Sequence, residues 1–345
     1  MVALPTVKLE SFSGTHYEIG VQQGQAVGGL IHQLLRLIPN LESVKRMKPN
    51  LLPTSLFLAL AKRRANKLLR NDIFQYYPKQ AQRIRGLAEG TGINIPTVLF
   101  IQSMEMLLFS PTESNYRLQA CTSLGFTPQR TTTAETIVAK NFDYVNELAP
   151  FHLTCQSNPI ERYKTLGCTM APLPGMLDGM NEHGLTVTYN LAYTTDKPKL
   201  FAPLSLALQE MLETCKNTDE AVEFITQAKQ GGHDALLMIA DAEGNVKAVE
   251  ITPNHSATRE SVDGQIINTN HCHTKEMQQY EIPHNAVWVS GVPESLIGAR
   301  VHESSLQRMT RAQGLLENME KIDENSIVTI LRDHGEDNKP SSLTI

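Results

Sequence analysis

Apolar residues recur at helical spacing through most of the first hundred residues, then give way to short runs bounded by Gly, Pro, Asn or Asp. The helical period is clearest over residues 17–38, 56–69 and 79–89. Gly90, Thr91 and Gly92 supply a stop, and Pro96 suits the first turn of a helix running to about Leu107. Beyond residue 115 the pattern predicts strands over 122–127, 136–142, 165–170 and 185–190, with Asn181 to Gly184 as a tight turn between two of them. Helices are predicted over 203–216 and 218–228, the second with Thr218 as N-cap. Strands resume over 235–240, 246–251 and 265–268, and the turn at 241–245 carries a bulge-type glycine. The chain returns to helix over 303–318, where Ser304 or Ser305 can cap, and over 323–332.

Helices, then consecutive antiparallel strands, then helices predict an α+β fold with sheets covered by helices rather than alternating βαβ units. No glycine-rich phosphate-binding motif follows any strand, which leaves a nucleotide-binding reading without support. With 345 residues, 41% of them hydrophobic, the chain is long enough for a substantial core. A net charge of -5 and the lack of a long Lys/Arg run predict no nucleic acid and no membrane as partner. The densest basic cluster, Lys62 to Arg64, follows the most apolar stretch, 51–61, which is too short to span a bilayer. The five cysteines form no C-x-x-C pair, as expected for reduced thiols, and residues 1–10 lack the pattern of a secretory signal. The expectation is a soluble cytoplasmic protein.

Cys121 stands where the helical part gives way to the first predicted strand. A buried strand cysteine is ordinarily just a small hydrophobe. Its company changes that reading, because Asp143 ends the next strand and an antiparallel pair would bring the two together. Cleavage before Cys121 would leave thiol and α-amine on one residue. An α-amine has a pKa of roughly 7.7–8.0, suited to a general base near neutrality. Asn190 and Asn270, each at the end of a predicted strand, offer amide donors for an oxyanion. His271, Cys272 and His273 are ligand types, but neighbours on a strand point to opposite faces and no second cluster is evident, so no metal is predicted. Arg308 and Arg311 are either solvated or, for one of them, buried against Asp143 or a substrate carboxylate.

Taken in order, Gly14 to Gly20 with Gly24, Arg85 to Gly90, Cys121 to Ser123, Asn141 to Asp143, Gly179 to Leu185, Thr269 to His271 and Leu331 to His334 resemble one family. It is the acyl-coenzyme A:6-aminopenicillanate acyltransferase family of autoproteolytic N-terminal nucleophile hydrolases, related to choloylglycine hydrolases and acid ceramidase. The resemblance implies a four-layer αββα sandwich in a single domain, 1–345, split into 1–120 and 121–345 that stay associated. It makes Ala120/Cys121 the cleavage site, Cys121 the nucleophile and Asp143 the group that orients its amine. Asn190 and Asn270 would line the oxyanion hole, Arg308 would stand near the nucleophile, and Lys140, Tyr144 and His271 would contact substrate. Two positions depart from the family pattern. Ala120 replaces the usual glycine, which predicts slow processing, and Lys140 replaces an arginine, which bears on substrate choice.

The function so implied is cleavage of the amide bond of an N-acylated small molecule through a thioester on Cys121. No cofactor is implied. Hydrolysis is favoured over transfer, because transfer needs a second acceptor site; acyl-coenzyme A is the partner that would favour transfer, and a homo-oligomer is left open. Two other readings remain. One is an uncleaved relative serving as a binding module. The other is a conventional thiol hydrolase with His271 as base.

Overall fold

The structure, a computed structural model, describes residues 9–41, 44–45, 48–109, 120–143, 146–196, 201–228, 234–289 and 294–335. A strand, β1 (Leu9–Gly14), leads into α1 (His16–Leu37). Thr15 caps that helix reciprocally: its hydroxyl accepts the Glu18 N–H, and the Glu18 carboxylate accepts the Thr15 N–H at 2.7 Å. Three helices follow, α2 (Thr54–Tyr76), α3 (Pro78–Thr91) and α4 (Ile95–Phe109). Gly92, at φ 69°, ends α3 in the left-handed conformation that glycine adopts without strain. Glycines at four-residue spacing let α1 and α3 touch backbone to backbone. A Cβ on Gly20 would lie 2.1 Å from the Arg83 carbonyl oxygen, and one on Gly86 1.9 Å from that of Tyr17. The Gly20/Gly24 and Gly86/Gly90 motifs of the sequence are therefore a packing device.

Strands then dominate: β2 (Ala120–Phe126), β3 (Ile137–Asp143), β4 (His152–Pro159), β5 (Thr165–Met170), β6 (Asp178–Asn181) and β7 (Thr186–Leu191). Helices α5 (Leu204–Thr214) and α6 (Thr218–Gln227) separate these from β8 (Ala235–Ala240), β9 (Val246–Ile251), β10 (Ser256–Glu260) and β11 (Gln265–Asn268). Two further helices follow, α7 (Glu303–Leu316) and α8 (Glu324–Leu331). The N-cap of α6 is Asn217, whose side chain accepts the Glu220 N–H at 3.0 Å; Thr218, expected there, donates instead to Asp241.

The strands form two sheets, one in the order β1-β4-β5-β6-β7-β8-β9-β10 and one in the order β11-β2-β3. All pairings are antiparallel except β1 with β4. The layers follow from which side chains meet. Val187, Leu237, Ile239 and Val249 of the large sheet share a core with α1, α3, α5 and α6. The opposite face presents Met238, Ala240, Val246 and Ala248 to Ile266 and Val138 of the small sheet. There Gly125 allows close approach, since a Cβ would lie 2.5 Å from the Met238 sulfur. The outer face of the small sheet, with Leu124, Phe126 and Ile267, packs on Met309, Leu316, Ile327 and Ile330. This is the α+β, four-layer αββα arrangement that the resemblance implies. No helix among the described residues is long and apolar enough to cross a membrane.

Candidate active site

Cys121 is the second residue of β2 and fully buried. Strand register decides its neighbours. Across β3 it faces Phe142, with Ala120 opposite Asp143 and Ser123 opposite Lys140. On the other side β11 runs from Gln265 opposite Phe126 to Asn268 opposite Ser123. Continuing that register brings Asn270 level with Cys121, but the strand has ended, so a side chain replaces the ladder. Asn270 Oδ1 accepts the Cys121 N–H at 3.0 Å. Alternation along β2 turns Cys121 and Ser123 toward the large sheet with Lys140 and Phe142, and turns Ala120 and Thr122 toward α7 with Asp143.

One helix grips this strand end. Arg308, on α7 and buried, donates through Nη1 to the Cys121 carbonyl at 2.5 Å and to Thr122 Oγ1 at 2.9 Å. Its Nη2 donates to Asn270 Oδ1 at 2.6 Å. Asn270 is held from the main chain too, its N–H donating to Ser305 Oγ at 2.7 Å and its Nδ2 to the Leu191 carbonyl at 2.8 Å. Ser305 Oγ also donates to Thr269 Oγ1 at 2.9 Å and meets His271 Nδ1 at 2.8 Å. Ser304 and Ser305 thus do not cap α7, whose N-cap His302 makes no side-chain cap bond. Ser304 instead accepts from Arg308 Nε. Ser305 was not anticipated as a site residue. Its three-residue spacing from Arg308, which puts both on one helix face, was the available signal.

On the inner side Lys140 makes an ion pair with Asp178, at 2.7 and 2.9 Å to its two oxygens, and donates to the Tyr189 carbonyl. Its ammonium lies over the rings of Phe142, at 4.7 Å, and Tyr189, at 5.7 Å. Asp178 Oδ1 also accepts the Tyr189 N–H at 2.8 Å. Nothing in the sequence singles out Asp178, which is one acidic residue at the start of a four-residue strand. Burial pushes the Cys121 thiol above its ordinary range; Lys140 and Arg308 pull it back, while Asp178 and Asp143 push it further up.

Asn190, expected to offer an oxyanion donor from its side-chain amide or its main-chain N–H, has its side chain engaged elsewhere. Its Nδ2 donates both hydrogens, to the carbonyls of Asn268 at 3.0 Å and Thr269 at 2.9 Å, and its Oδ1 accepts the Ser123 hydroxyl at 2.6 Å. The side chain braces β2, β7 and β11 and has no hydrogen left for an oxyanion. His271 lies beside His302, Arg308 and His284. Burial, then those basic neighbours, lowers it to about 4, so the ring is neutral at physiological pH. Asp143 is close enough to Arg308 to raise the guanidinium's pKa against the lowering by burial. Tyr144 lies outside the described residues. Among the described residues no group of three or more His, Cys, Asp or Glu side chains could hold a metal ion.

No curated protein matches the chain. Among solved structures it is similar to the Caenorhabditis elegans N-acylethanolamine-hydrolyzing acid amidase ortholog, with a TM-score of 0.44 and 16% identity over 64% of this chain and 88% of that one. It is similar also to a mutant of conjugated bile acid hydrolase from Clostridium perfringens, with a TM-score of 0.38 and 18% identity over 61% of this chain and 78% of that one. Penicillin V acylase from Agrobacterium tumefaciens gives 0.35 and 13% over 67% and 71%. The sequence itself matches a family over residues 130–343, a span that holds Lys140, Asp143, Asp178, Asn270 and Arg308 and begins after Cys121. The chain belongs to the acyl-coenzyme A:6-aminopenicillanic acid acyl-transferase family.

Proposed function

We propose that the protein is an autoproteolytic cysteine amidohydrolase that cleaves the amide bond of an N-acylated small molecule. The observation that carries this reading is that the surroundings of Cys121 address its main-chain nitrogen. Asn270 Oδ1 accepts that N–H, and Arg308 holds both Asn270 Oδ1 and the Cys121 carbonyl. Any buried N–H needs a partner, but here the ladder has ended and the partner is a side chain itself fixed by an arginine, an arrangement suited to a nitrogen that becomes the catalytic amine.

In self-processing, the Cys121 thiol adds to the Ala120 carbonyl carbon, the Ala120–Cys121 C–N bond breaks, and the thiol proton passes to the departing nitrogen. Water then hydrolyses the Ala120 thioester, releasing a carboxylate and regenerating the thiol. In turnover the free α-amine takes the thiol proton, the thiolate attacks the substrate carbonyl, and the ammonium gives its proton to the leaving amine. Water finishes the cycle. The unused Nδ2 hydrogen of Asn270, whose other hydrogen goes to Leu191, is the side-chain donor offered to the oxyanion. Asp143, level with Ala120, is suited to orient the amine once the bond is cut. Lys140, Phe142 and Tyr189 would face the acyl group. Asp178 would hold Lys140 in place.

His271 is a poor base for a conventional thiol pair, being neutral down to a pH of about 4 with Nδ1 engaged by Ser305. The five cysteines are free, in keeping with a reducing cytoplasmic setting. Intact-mass analysis of the wild type beside Cys121→Ala tests the proposal. Two fragments meeting at Ala120/Cys121 are expected in the wild type and one chain in the variant. An active preparation with that bond intact overturns it.

A further inference from the structure

Segment 44–71 carries eight of the chain's 31 Lys and Arg residues and none of its 36 Asp and Glu residues, although the whole chain is acidic. Helical spacing hides this in the sequence, where no long basic run appears and from which no membrane partner is therefore predicted. In the fold, α2 buries one face, with Ala65 and the partly buried Phe57, Leu58 and Ala61 packed in one core and Leu69 and Ile73 in another. The opposite face is exposed and sorted along its length. In the turn just before the helix Leu51 is 100% exposed, and on the first turns of the exposed face Leu56 is 48% and Leu60 51% exposed. One to three turns further on, Arg63, Arg64, Lys67 and Arg70 are exposed on the same side. From Leu56 to Arg63 is about 10 Å along the axis, at 1.5 Å per residue.

We infer that this end of the molecule docks on an anionic lipid surface, with the leucine tip entering the boundary between headgroups and acyl chains and the basic collar lying at the phosphates. That spacing is comparable to the headgroup layer, about 5–8 Å thick on each side of the hydrocarbon core. The charge selects the partner: a cationic collar around an apolar tip suits anionic lipid, whereas a nucleic acid would have no use for three exposed leucines. The helix enters by its N-terminal end and does not span, because the charges along it leave no apolar stretch long enough to cross a membrane. An N-acyl amide with a long acyl chain partitions into such a surface, which would bring substrate to the enzyme; that last step rests on the proposed amidase function, and the docking does not.

The test is co-sedimentation of the protein with vesicles of phosphatidylcholine alone or with about 30 mol% phosphatidylserine, an anionic lipid that attracts basic segments. Binding to the anionic vesicles is expected to exceed binding to neutral ones by at least about tenfold and to fall in 0.5 M salt, about the ionic strength that screens surface charge. Replacing one basic residue (Arg63→Ala or Lys67→Ala) is expected to weaken it about fivefold, and L56S/L60S to abolish it. Both kinds of variant alter exposed side chains and leave turnover of a soluble amide unchanged, which separates failure of docking from failure of the amidase reading. Wild-type protein that stays in the supernatant with both vesicles overturns the inference. So does binding that the leucine and charge variants leave intact, or a concentration-dependent dimer lost in L56S/L60S without vesicle binding.

Discussion

Replacing Arg308 with methionine removes a buried guanidinium while keeping most of its volume. Three short hydrogen bonds are lost, to the Cys121 carbonyl, Thr122 Oγ1 and Asn270 Oδ1. A hydrogen bond to a charged group contributes about 1.5–3 kcal/mol, so the gross loss is roughly 5–9 kcal/mol. Burying the cation costs several kcal/mol, and the variant is relieved of that. The expected net destabilisation is therefore about 1–4 kcal/mol, within reach of a domain of this size. The effect on chemistry is larger. Without Nη2, the Asn270 amide loses the shorter of the two bonds its oxygen accepts and is less firmly aimed, and losing one oriented oxyanion donor costs about 10²–10³ in rate. Arg308→Met is expected to fold, with a lower urea midpoint, yet to separate its chains and turn over at least about a hundredfold more slowly. Arg308→Lys should fall between, because an ammonium cannot reach both acceptors in one plane. Urea unfolding followed by circular dichroism, beside an intact-mass time course and turnover, separates the two effects. A methionine variant that processes and turns over within about threefold of wild type refutes the argument, since oriented donors are worth far more than that.

Gly86→Ala puts a Cβ 1.9 Å from the Tyr17 carbonyl oxygen, backbone against backbone, so α1 and α3 must part. A loss of about 1–3 kcal/mol or more is expected, read as a fall in melting temperature, and an unchanged melt contradicts the packing account. Ala120→Gly removes a Cβ beside the proposed cleavage site and should speed chain separation about two- to fivefold, the equivalent of about 0.5–1 kcal/mol; slower separation would sink the strain argument. Burial raises the Glu281 carboxyl from 4.5 to about 7, against the hydrogen bond it accepts from the Cys272 N–H. The folded state therefore holds a proton that the unfolded state releases. That stabilisation is complete below about pH 4.5 and is lost as pH rises through about 7. Glu281→Gln should accordingly gain stability relative to wild type between those limits, and a difference that is flat with pH would exclude a raised carboxyl.

Much of the fold was legible because burial on one or both faces leaves a clear pattern. The strands over 235–240, 246–251 and 265–268 have the bounds the sequence predicts, the first being buried at every position. Strands β1, β4 and β10 escaped notice for physical reasons. Only Phe12 of β1 is buried; of the four buried positions of β4 one is the polar Ser157 and one is Pro159, a residue that reads against a strand; and β10 is an edge strand with no fully buried residue. The site was harder to read. Asp178 pairs with Lys140 across 38 residues of sequence, and Asn190 spends its amide on bracing backbone carbonyls. Neither role follows from residue type, because each depends on which strand ends lie together.

Register is the link between those strand ends and the chemistry. Asn270 reaches the Cys121 nitrogen because Gln265 pairs with Phe126, five residues earlier on the same run. That far end is pinned independently: the Thr127 N–H donates to the Gly264 carbonyl at 2.9 Å, and Arg130 Nη2 donates to Gln265 Oε1 at 3.0 Å. Gly264, at φ 71°, makes the turn that starts the strand. Slipping β11 by one residue would turn Asn270 to the opposite face and bring Thr269 or His271 level with Cys121. Arg130 and Gly264 touch neither Cys121 nor Asn270, yet they hold the pairing on which the Asn270–Cys121 bond depends. The nitrogen of Cys121 is thus addressed by a side chain whose position is fixed at the other end of the strand pair. For that reason the chemistry of this site cannot be separated from the alignment of its smaller sheet.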